Sequence, residues 1–330
     1  MENFQAFVIN KENEKVTRDI KTLSLSDLPE GEVTIQVAYS SVNFKDGFVA
    51  IQGQFVESYP LVPGIDLAGR VMESKDERYQ EGDEVIVTSY DLGTGHHGGF
   101  SEVARVPGDW VVPLPKGLSM KEAMILGTAG FTAGLSVQRL EENNLKPENG
   151  PVLVAGATGG VGSIAVDILA NRGYHVTAST GKTDEKDYLK KLGAREVIHR
   201  EEIVDNEGNP MREERWAAAV DPVGGQTLQY ILSTLQYGGS VATSGLTGGT
   251  DVSTKVFPFI SRGINWLGID SVTCPMDSRK KVWERLGHDL KPSHLNDEIV
   301  SEISLNELPH VLEDILQGKV RGRTIVTLNK

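Results

Sequence analysis

Apolar residues in the first third of the chain recur at every second position in short runs. In EVTIQVAYSSVN, 32–43, Val33, Ile35 and Val37 alternate with polar neighbours, as in a strand with one buried face. GDEVIVTSY, 82–90, and WVVPLP, 110–115, are further strand candidates, bounded by Gly and Pro. Helical spacing is scarce here, so this part is predicted to be mostly β. The pattern changes at GLSMKEAMILGTAGFTAGLSVQRLEEN, 117–143, where Ser119 and Glu122 form the S-x-x-E pair of a capping box at the head of an apolar run. A helix is predicted to start there. From Pro151 the period switches back and forth. Strands are predicted in VLVAG, HVTAS, EVIH, AAAVD, GSVATSG and NWLGID, with helices from Gly160, in EKDYLKKLG and in QTLQYILSTLQ. Such alternation of β and α predicts a doubly wound parallel sheet. A helix in SRKKVWERL, 278–286, and a strand in GRTIVTL, 322–328, follow. The simplest architecture returns this last stretch to the first domain. Residues 1–124 and 266–330 then form a β-rich domain, and 125–265 an inserted nucleotide-binding domain.

Between the strand Val152–Ala155 and the helical spacing of 161–169 lies GATGGVG, 156–162. A dinucleotide loop needs glycine where backbone approaches a pyrophosphate and where helix meets strand, and Gly159 and Gly162 stand at those places. The helix N-terminus behind them offers free N–H groups and a positive dipole end. Ala157 departs from the G-x-G-x-x-G pattern. The next strand ends ASTGK, 178–182, without the Asp or Glu that would bond an adenine ribose 2′-OH. Ser179, Thr180 and Lys182 instead suit a 2′-phosphate, and Arg200, after EVIH, is expected to reach the same group. The cofactor read from these residues is NADPH.

A chain of 330 residues suits two domains, and 39% hydrophobic residues suffice for sizeable cores. The formal charge of −13 argues against nucleic acid and anionic membrane surfaces as partners. Cys274 is the only cysteine, so no internal disulfide forms, which fits a reducing cytoplasm. The N-terminal MENFQAFVIN shows no signal-peptide pattern. The apolar stretch 150–170 is not read as a membrane span, because it holds a glycine turn and Asp167.

GIDLAGRV, GDEVIV, GTAGFTA and GATGGVG together resemble the medium-chain dehydrogenase/reductase superfamily nearly end to end. SSVNFKD, PLVPGIDLAG, GGFSEVARVPGDW, MILGTAGFTA and VFPFISRGINWLGIDSV are similar to its YhdH/YhfP branch, which is quinone oxidoreductase-like and includes acryloyl-CoA reductases. The resemblance implies a GroES-like catalytic domain, a Rossmann domain, a cleft between them, and NADPH. Carried over, it places Asn43 and Phe44 beside the nicotinamide end. It places Thr158, Gly159, Gly160 and Val161 on the pyrophosphate, and Thr180, Gly181, Lys182 and Arg200 on the adenosine phosphate. Leu246 would flank the nicotinamide ribose and Arg323 close the cofactor site. It also implies a homodimer paired through NWLGID as an edge strand. No metal is expected. Asn43 and Phe44 stand where a zinc ligand cysteine would, Ile65 and Asp66 replace a His-Glu pair, and the cysteine-rich structural zinc loop is missing.

Without a Lewis acid, alcohol oxidation is disfavoured, whereas a conjugated acceptor takes hydride and leaves an enolate. The expected acceptor is an enone, enoyl thioester such as acryloyl-CoA, or quinone. Asn43 is expected to position the nicotinamide ring or the acceptor oxygen, and Tyr90, His96 or bulk water to supply the proton. Asp46 is read as the ion-pair partner of a nearby cation. The alternatives are a quinone oxidoreductase only, or a non-catalytic NADPH-binding protein.

Overall fold

The computed structural model describes residues 3–205 and 208–329. The chain forms two compact units. The first takes the residues up to Thr128, then Val272–Gly287, then those from Val300; the second takes Ala129–Ser271 and His288–Ile299.

The first unit opens with a hairpin, β1 (Asn3–Glu12) against β2 (Lys15–Ser24). Asn13 and Glu14 form its turn with φ of 49° and 65°, the hand that matches the twist of the joined strands. β3 (Val33–Val42) carries the alternating run, and its Val33, Ile35 and Val37 are fully buried. The one-turn helix α1 (Phe44–Gly47) follows at once, then β4 (Asp66–Ser74), β5 (Glu84–Thr88), β6 (Val103–Val106) and β7 (Val111–Pro113). α2 (Met120–Glu142) starts where the capping box predicts. Ser119 N donates to Glu122 Oε2 at 2.9 Å, and Glu122 N to Ser119 Oγ at 3.2 Å. The helix is broken at Gly127, with φ 51° and ψ −155°, and restarts at Thr128.

The second unit continues through β8 (Pro151–Val154), α3 (Gly160–Asn171), β9 (His175–Thr180), α4 (Lys186–Lys191) and β10 (Glu196–His199). It goes on with β11 (Trp216–Asp221), α5 (Gly225–Thr234), β12 (Leu235–Thr243), α6 (Phe257–Arg262) and β13 (Asn265–Gly268). The sheet order is β10-β9-β8-β11-β12-β13, and every pairing is parallel. This is the doubly wound sheet that the alternation predicts. The winding reverses between β8 and β11, beside the glycine loop, where such sheets bind ligands.

α7 (Met276–Leu286) returns to the first unit and buries Val282, Trp283 and Leu286 completely. The strap His288–Ile299 then rejoins the second unit, where buried Asp167 of α3 accepts Ser293 N at 3.1 Å and His294 N at 2.8 Å. β14 (Val300–Ile303), α8 (Leu308–Leu316) and β15 (Arg323–Thr327) complete the first unit. Its larger sheet runs β14-β15-β3-β4-β5-β7, with β6 on β3. Among the described residues, no helix is long and apolar enough to cross a membrane. The stretch 150–170 is β8, a turn and α3.

Candidate functional site

In the first unit the chain leaves β3 at Asn43, whose extended backbone caps α1. Asp46, in the first turn, accepts Asn43 N at 2.8 Å and Ile65 N at 3.0 Å. It is therefore a backbone clamp. Among the described residues no cation pairs with it at close range and Arg323 acts on it only through space, so its reading as an ion-pair partner is corrected. Asp66, the first residue of β4, is the hub. Its Oδ2 accepts Ser41 Oγ at 2.5 Å, Asn43 Nδ2 at 2.7 Å and Thr128 N at 2.9 Å, and its Oδ1 accepts Thr128 Oγ1 at 2.5 Å. Gly127 breaks α2 just before Thr128, and the Thr128 N–H turns to Asp66.

Arg323, the first residue of β15, lies against the same hub. Its Nε donates to Ile125 O at 2.9 Å, its Nη1 to Val42 O at 3.0 Å, and its Nη2 stands 4.0 Å from Asp66 Oδ2. Asp46 and Asp66 are fully buried and Arg323 is 3% exposed. Burial first, and then the charge of Asp66, pushes the Asp46 carboxyl up to about 7, against the pull of its two backbone N–H bonds. Burial likewise lowers the Arg323 guanidinium, while the nearby carboxylates raise it. Two buried carboxylates thus lie near one buried cation, and burial and the charge of Asp66 are what raise the Asp46 carboxyl.

A carboxylate only accepts, so the Asn43 amide turns its nitrogen to Asp66. That leaves its Oδ1, an acceptor, as the end available to a ligand. Phe44 packs edge-on against Phe48, with centroids 4.9 Å apart. Tyr90 follows β5 in a left-handed turn, φ 66° at Ser89 and 50° at Tyr90. Such backbone costs a residue with a Cβ roughly 1–2 kcal/mol, so the pair needs outside support. Its ring stacks on Trp110 at 5.7 Å, and its hydroxyl faces Cys274 O at 3.5 Å. His96 is held by backbone, with Nδ1 at 3.0 Å from His97 O and Nε2 at 3.1 Å from Glu30 O. The structure thus gathers Asn43 and Arg323 on one hub and ties Tyr90 to it through Ser89, whose Oγ is 3.1 Å from Thr128 Oγ1. Asp66, Thr128 and Gly127 went unassigned from sequence. The only local signal is the Asn43–Asp46 spacing, that of an N-cap and its N3 residue.

In the second unit Gly159 caps α3, and Gly160 and Val161 form its first turn. A Cβ on Gly162 would stand 2.4 Å from Gly156 O, so glycine is what lets the helix close onto the loop. Thr158 Oγ1 lies 3.2 Å from Thr180 Oγ1, joining the loop to the end of β9, and Lys182 N donates to Thr180 Oγ1 at 3.0 Å. Arg200 lies across Gly181, with Nε 2.7 Å from where a Cβ would be. Ser179 Oγ is buried and has no hydrogen-bond partner among the described residues. Thr158, Thr180, Gly181, Lys182 and Arg200 therefore form one polar, cationic corner at the end of β9, a strand that ends in Thr180 rather than in an acid. Leu246 stands apart on the loop after β12 and is 56% exposed.

Residues 29–116 match the Alcohol dehydrogenase GroES-like domain family, and residues 160–287 the Zinc-binding dehydrogenase family. The chain is 57% identical over 326 residues to YhfP of Bacillus subtilis, which bears a quinone oxidoreductase name, with 98% of this chain and 99% of that one covered. The crystal structure of YhfP with NAD bound matches at TM-score 0.97 over 99% of this chain and 100% of that one. Identity is 48% over 329 residues to the acrylyl-CoA reductase AcuI of Ruegeria pomeroyi, with 99% of each covered. The crystal structure of Escherichia coli K-12 YhdH with bound NADPH, 43% identical, matches at TM-score 0.95 over 98% of this chain and 100% of that one. Full-length identity at this level, added to the parallel sheet, the glycine loop and the Asn43–Asp66 hub, decides the assignment: the chain belongs to the medium-chain dehydrogenase/reductase superfamily, as an oxidoreductase of the branch that holds YhfP and AcuI.

Proposed function

We propose that this protein is an NADPH-dependent, zinc-independent reductase that transfers hydride to the β-carbon of an activated C=C bond, in acryloyl-CoA or a similar enoyl thioester or enone. The observation that carries the cofactor choice is the corner of Thr180, Gly181, Lys182 and Arg200 at the end of β9. The acceptor class rests on AcuI, an acrylyl-CoA reductase; the quinone name of YhfP keeps quinones as the second reading. NADPH, when bound, supplies hydride from its nicotinamide. The α3 N-terminus at Thr158–Val161 holds the pyrophosphate through backbone N–H groups. Lys182, Arg200 and the Thr180 and Ser179 hydroxyls hold the 2′-phosphate, and Leu246 flanks the nicotinamide ribose. Asn43 presents Oδ1 to a donor, which suits the carboxamide of the ring rather than an oxyanion on the substrate. Phe44 and Arg323 border the same end, and Tyr90 or His96 stands as the proton source beside bulk water.

The family that matches 160–287 is named for zinc, which takes three protein ligands in a catalytic site. The residues present do not fit it. Four donors already saturate Asp66, the Arg323 cation lies 4.0 Å away, and among the described residues no three His, Cys, Asp or Glu gather for a metal.

With NADPH deuterated at the transferable C4 position, deuterium is expected on the β-carbon of the reduced thioester, at a rate unchanged by prolonged chelation. Turnover of quinones alone would leave the second reading standing. Tight NADPH binding with no turnover of any acceptor would make this a binding protein.

We also infer a homodimer and a cytoplasmic location. β13 is the last strand of its sheet, and Trp266 on it is 44% exposed while Ile260 of the preceding α6 is 77% exposed. An apolar open edge is a pairing surface, and β13 of a second copy extends the sheet across it. Sedimentation is expected to give the dimer mass for the unmodified chain and the monomer mass for Trp266→Glu/Ile260→Glu; a monomeric unmodified chain refutes the pairing. The location rests on the single thiol, Cys274, which is buried and unbridged.

A further inference from the structure

Arg279 of α7 has no part in the roles above, yet it is fully buried beside them. Its Nη1 donates to Thr88 O at 3.1 Å and to Thr88 Oγ1 at 3.0 Å, and its Nη2 to Val272 O at 3.0 Å. Its Cζ stands 4.5 Å over the Tyr90 ring, which itself lies within 8° of parallel to Trp110. One guanidinium therefore grips the residue before the left-handed Ser89–Tyr90 turn and the ring at its end. A planar fork that bonds carbonyls with its edge and stacks with its face is what arginine supplies and lysine does not.

Ser89, inside that grip, donates its N–H to Ile65 O at 2.8 Å and places Oγ 3.1 Å from Thr128 Oγ1. Thr128 gives its hydroxyl proton to Asp66 Oδ1 at 2.5 Å. A hydroxyl has one proton, so Ser89 is the donor between the two. The hydrogen bonds thus run one way, from Ser89 through Thr128 to Asp66, whose other oxygen takes Asn43 Nδ2 at 2.7 Å.

We propose that Arg279 is a positioning residue for Asn43: by locking the left-handed turn it keeps the Ser89–Thr128–Asp66 chain in register and so sets which end of the Asn43 amide faces outward. The proposal rests on the reading of Asn43 as the group that orients the reacting end. Without the grip, the turn relaxes toward extended backbone and carries Ser89 Oγ off Thr128. The Thr128 hydroxyl then rotates, Asp66 turns, and the Asn43 amide loses the carboxylate that fixes its direction.

Arg279→Met keeps an unbranched apolar stem and removes the fork. Its kcat, on whichever acceptor the unmodified enzyme turns over, is expected to fall about a hundredfold, as a displacement of about 1 Å brings, with the NADPH Kd within about twofold. Thr128→Val should do the same, and the double variant should be no slower than either single one, because both cut one chain. Multiplying losses overturn the proposal. A second readout needs no turnover. In protein labelled with nitrogen-15 asparagine, the Asn43 side-chain signal, identified by its loss in Asn43→Ser, should move toward the exposed amides in Arg279→Met and in Thr128→Val. An Asn43 signal unmoved in both overturns the proposal, whereas a moved signal in a protein that reduces no acceptor supports it and refutes only the reductase reading. Should Arg279→Met fail to fold, Ser89→Ala, which removes one hydroxyl from the chain, carries the same measurements.

Discussion

Replacing Lys182 and Arg200 together by Ala is expected to lower the preference for NADPH over NADH by about two to four orders of magnitude, since each charge-assisted hydrogen bond to the 2′-phosphate contributes roughly 1.5–3 kcal/mol. Affinity for NADH should stay nearly level, because the loop at Thr158–Val161 is the part proposed to bind the pyrophosphate, which both cofactors share. The expectation follows from what surrounds the two cations. Arg200 rests on Gly181, a position where any Cβ would push it away. Lys182 is tethered by its N–H to Thr180 Oγ1, so its side chain leaves from a fixed point. No acid ends β9 to claim the 2′-OH of NADH or to repel the phosphate. YhfP was crystallised with NAD and YhdH with NADPH, so a direct comparison on this chain matters. Isothermal titration of the unmodified protein with each cofactor decides it, and equal affinities would remove the basis of the NADPH assignment.

Gly127→Ala should destabilise the first unit by about 2–6 kcal/mol, the sum of roughly 1–3 for a glycine-only backbone and roughly 1–3 for overpacking. The backbone there has φ 51° and ψ −155°. A Cβ would stand 2.4 Å from Ser41 Oγ, 2.5 Å from Asp66 Oδ2 and 2.9 Å from Arg323 Nη2. None of these can retreat freely, because Ser41 is bonded to Asp66 and Arg323 is held by Ile125 O and Val42 O. Gly173 provides the control. It too has positive φ, 83°, but a Cβ there meets nothing within 4 Å. Gly173→Ala should therefore cost only the backbone part, about 1–2 kcal/mol. Urea unfolding followed at both variants separates the two contributions. A Gly127→Ala protein as stable as Gly173→Ala would mean that the hub tolerates displacement, against the packing described.

Much of the fold was legible because it is written in short-range periods. The parallel sheet announces itself in apolar runs such as VLV and AAAV, buried on both faces, and the helix at Met120 in its capping box. The glycine loop is equally local, since strand, turn and helix are consecutive and Gly162 is required by its own neighbour Gly156. α8 and β14 were not read. The helix has only nine residues with Pro309 in its first turn, and the strand only four, too few for a period to register.

Asp66 shows where sequence alone stops. Its position in GIDLAG marks only the loss of a zinc ligand, and nothing nearby says what it does instead. Its partners come from Ser41, Asn43 and Thr128, with Arg323 at 4.0 Å, and only the folded chain brings residues so far apart within bonding distance. Asp46 has the same history. Its spacing from Asn43 suggests a cap, but its raised pKa follows from burial and from Asp66, neither of which a sequence displays. Asp167 is a third case. In sequence it is a charge inside an apolar helix; in the fold it holds the N–H groups of Ser293 and His294, which anchors the strap 288–299 on the second unit. The sequence by itself determined the family, the parallel sheet and the glycine loop, and it named the cationic corner proposed for the cofactor, because hydrophobic period and glycine spacing act between neighbours. The tertiary structure decided the direction of the Asn43 amide, the raised pKa of Asp46 and the need for Gly127, because hydrogen bonding and desolvation depend on which distant groups share a space.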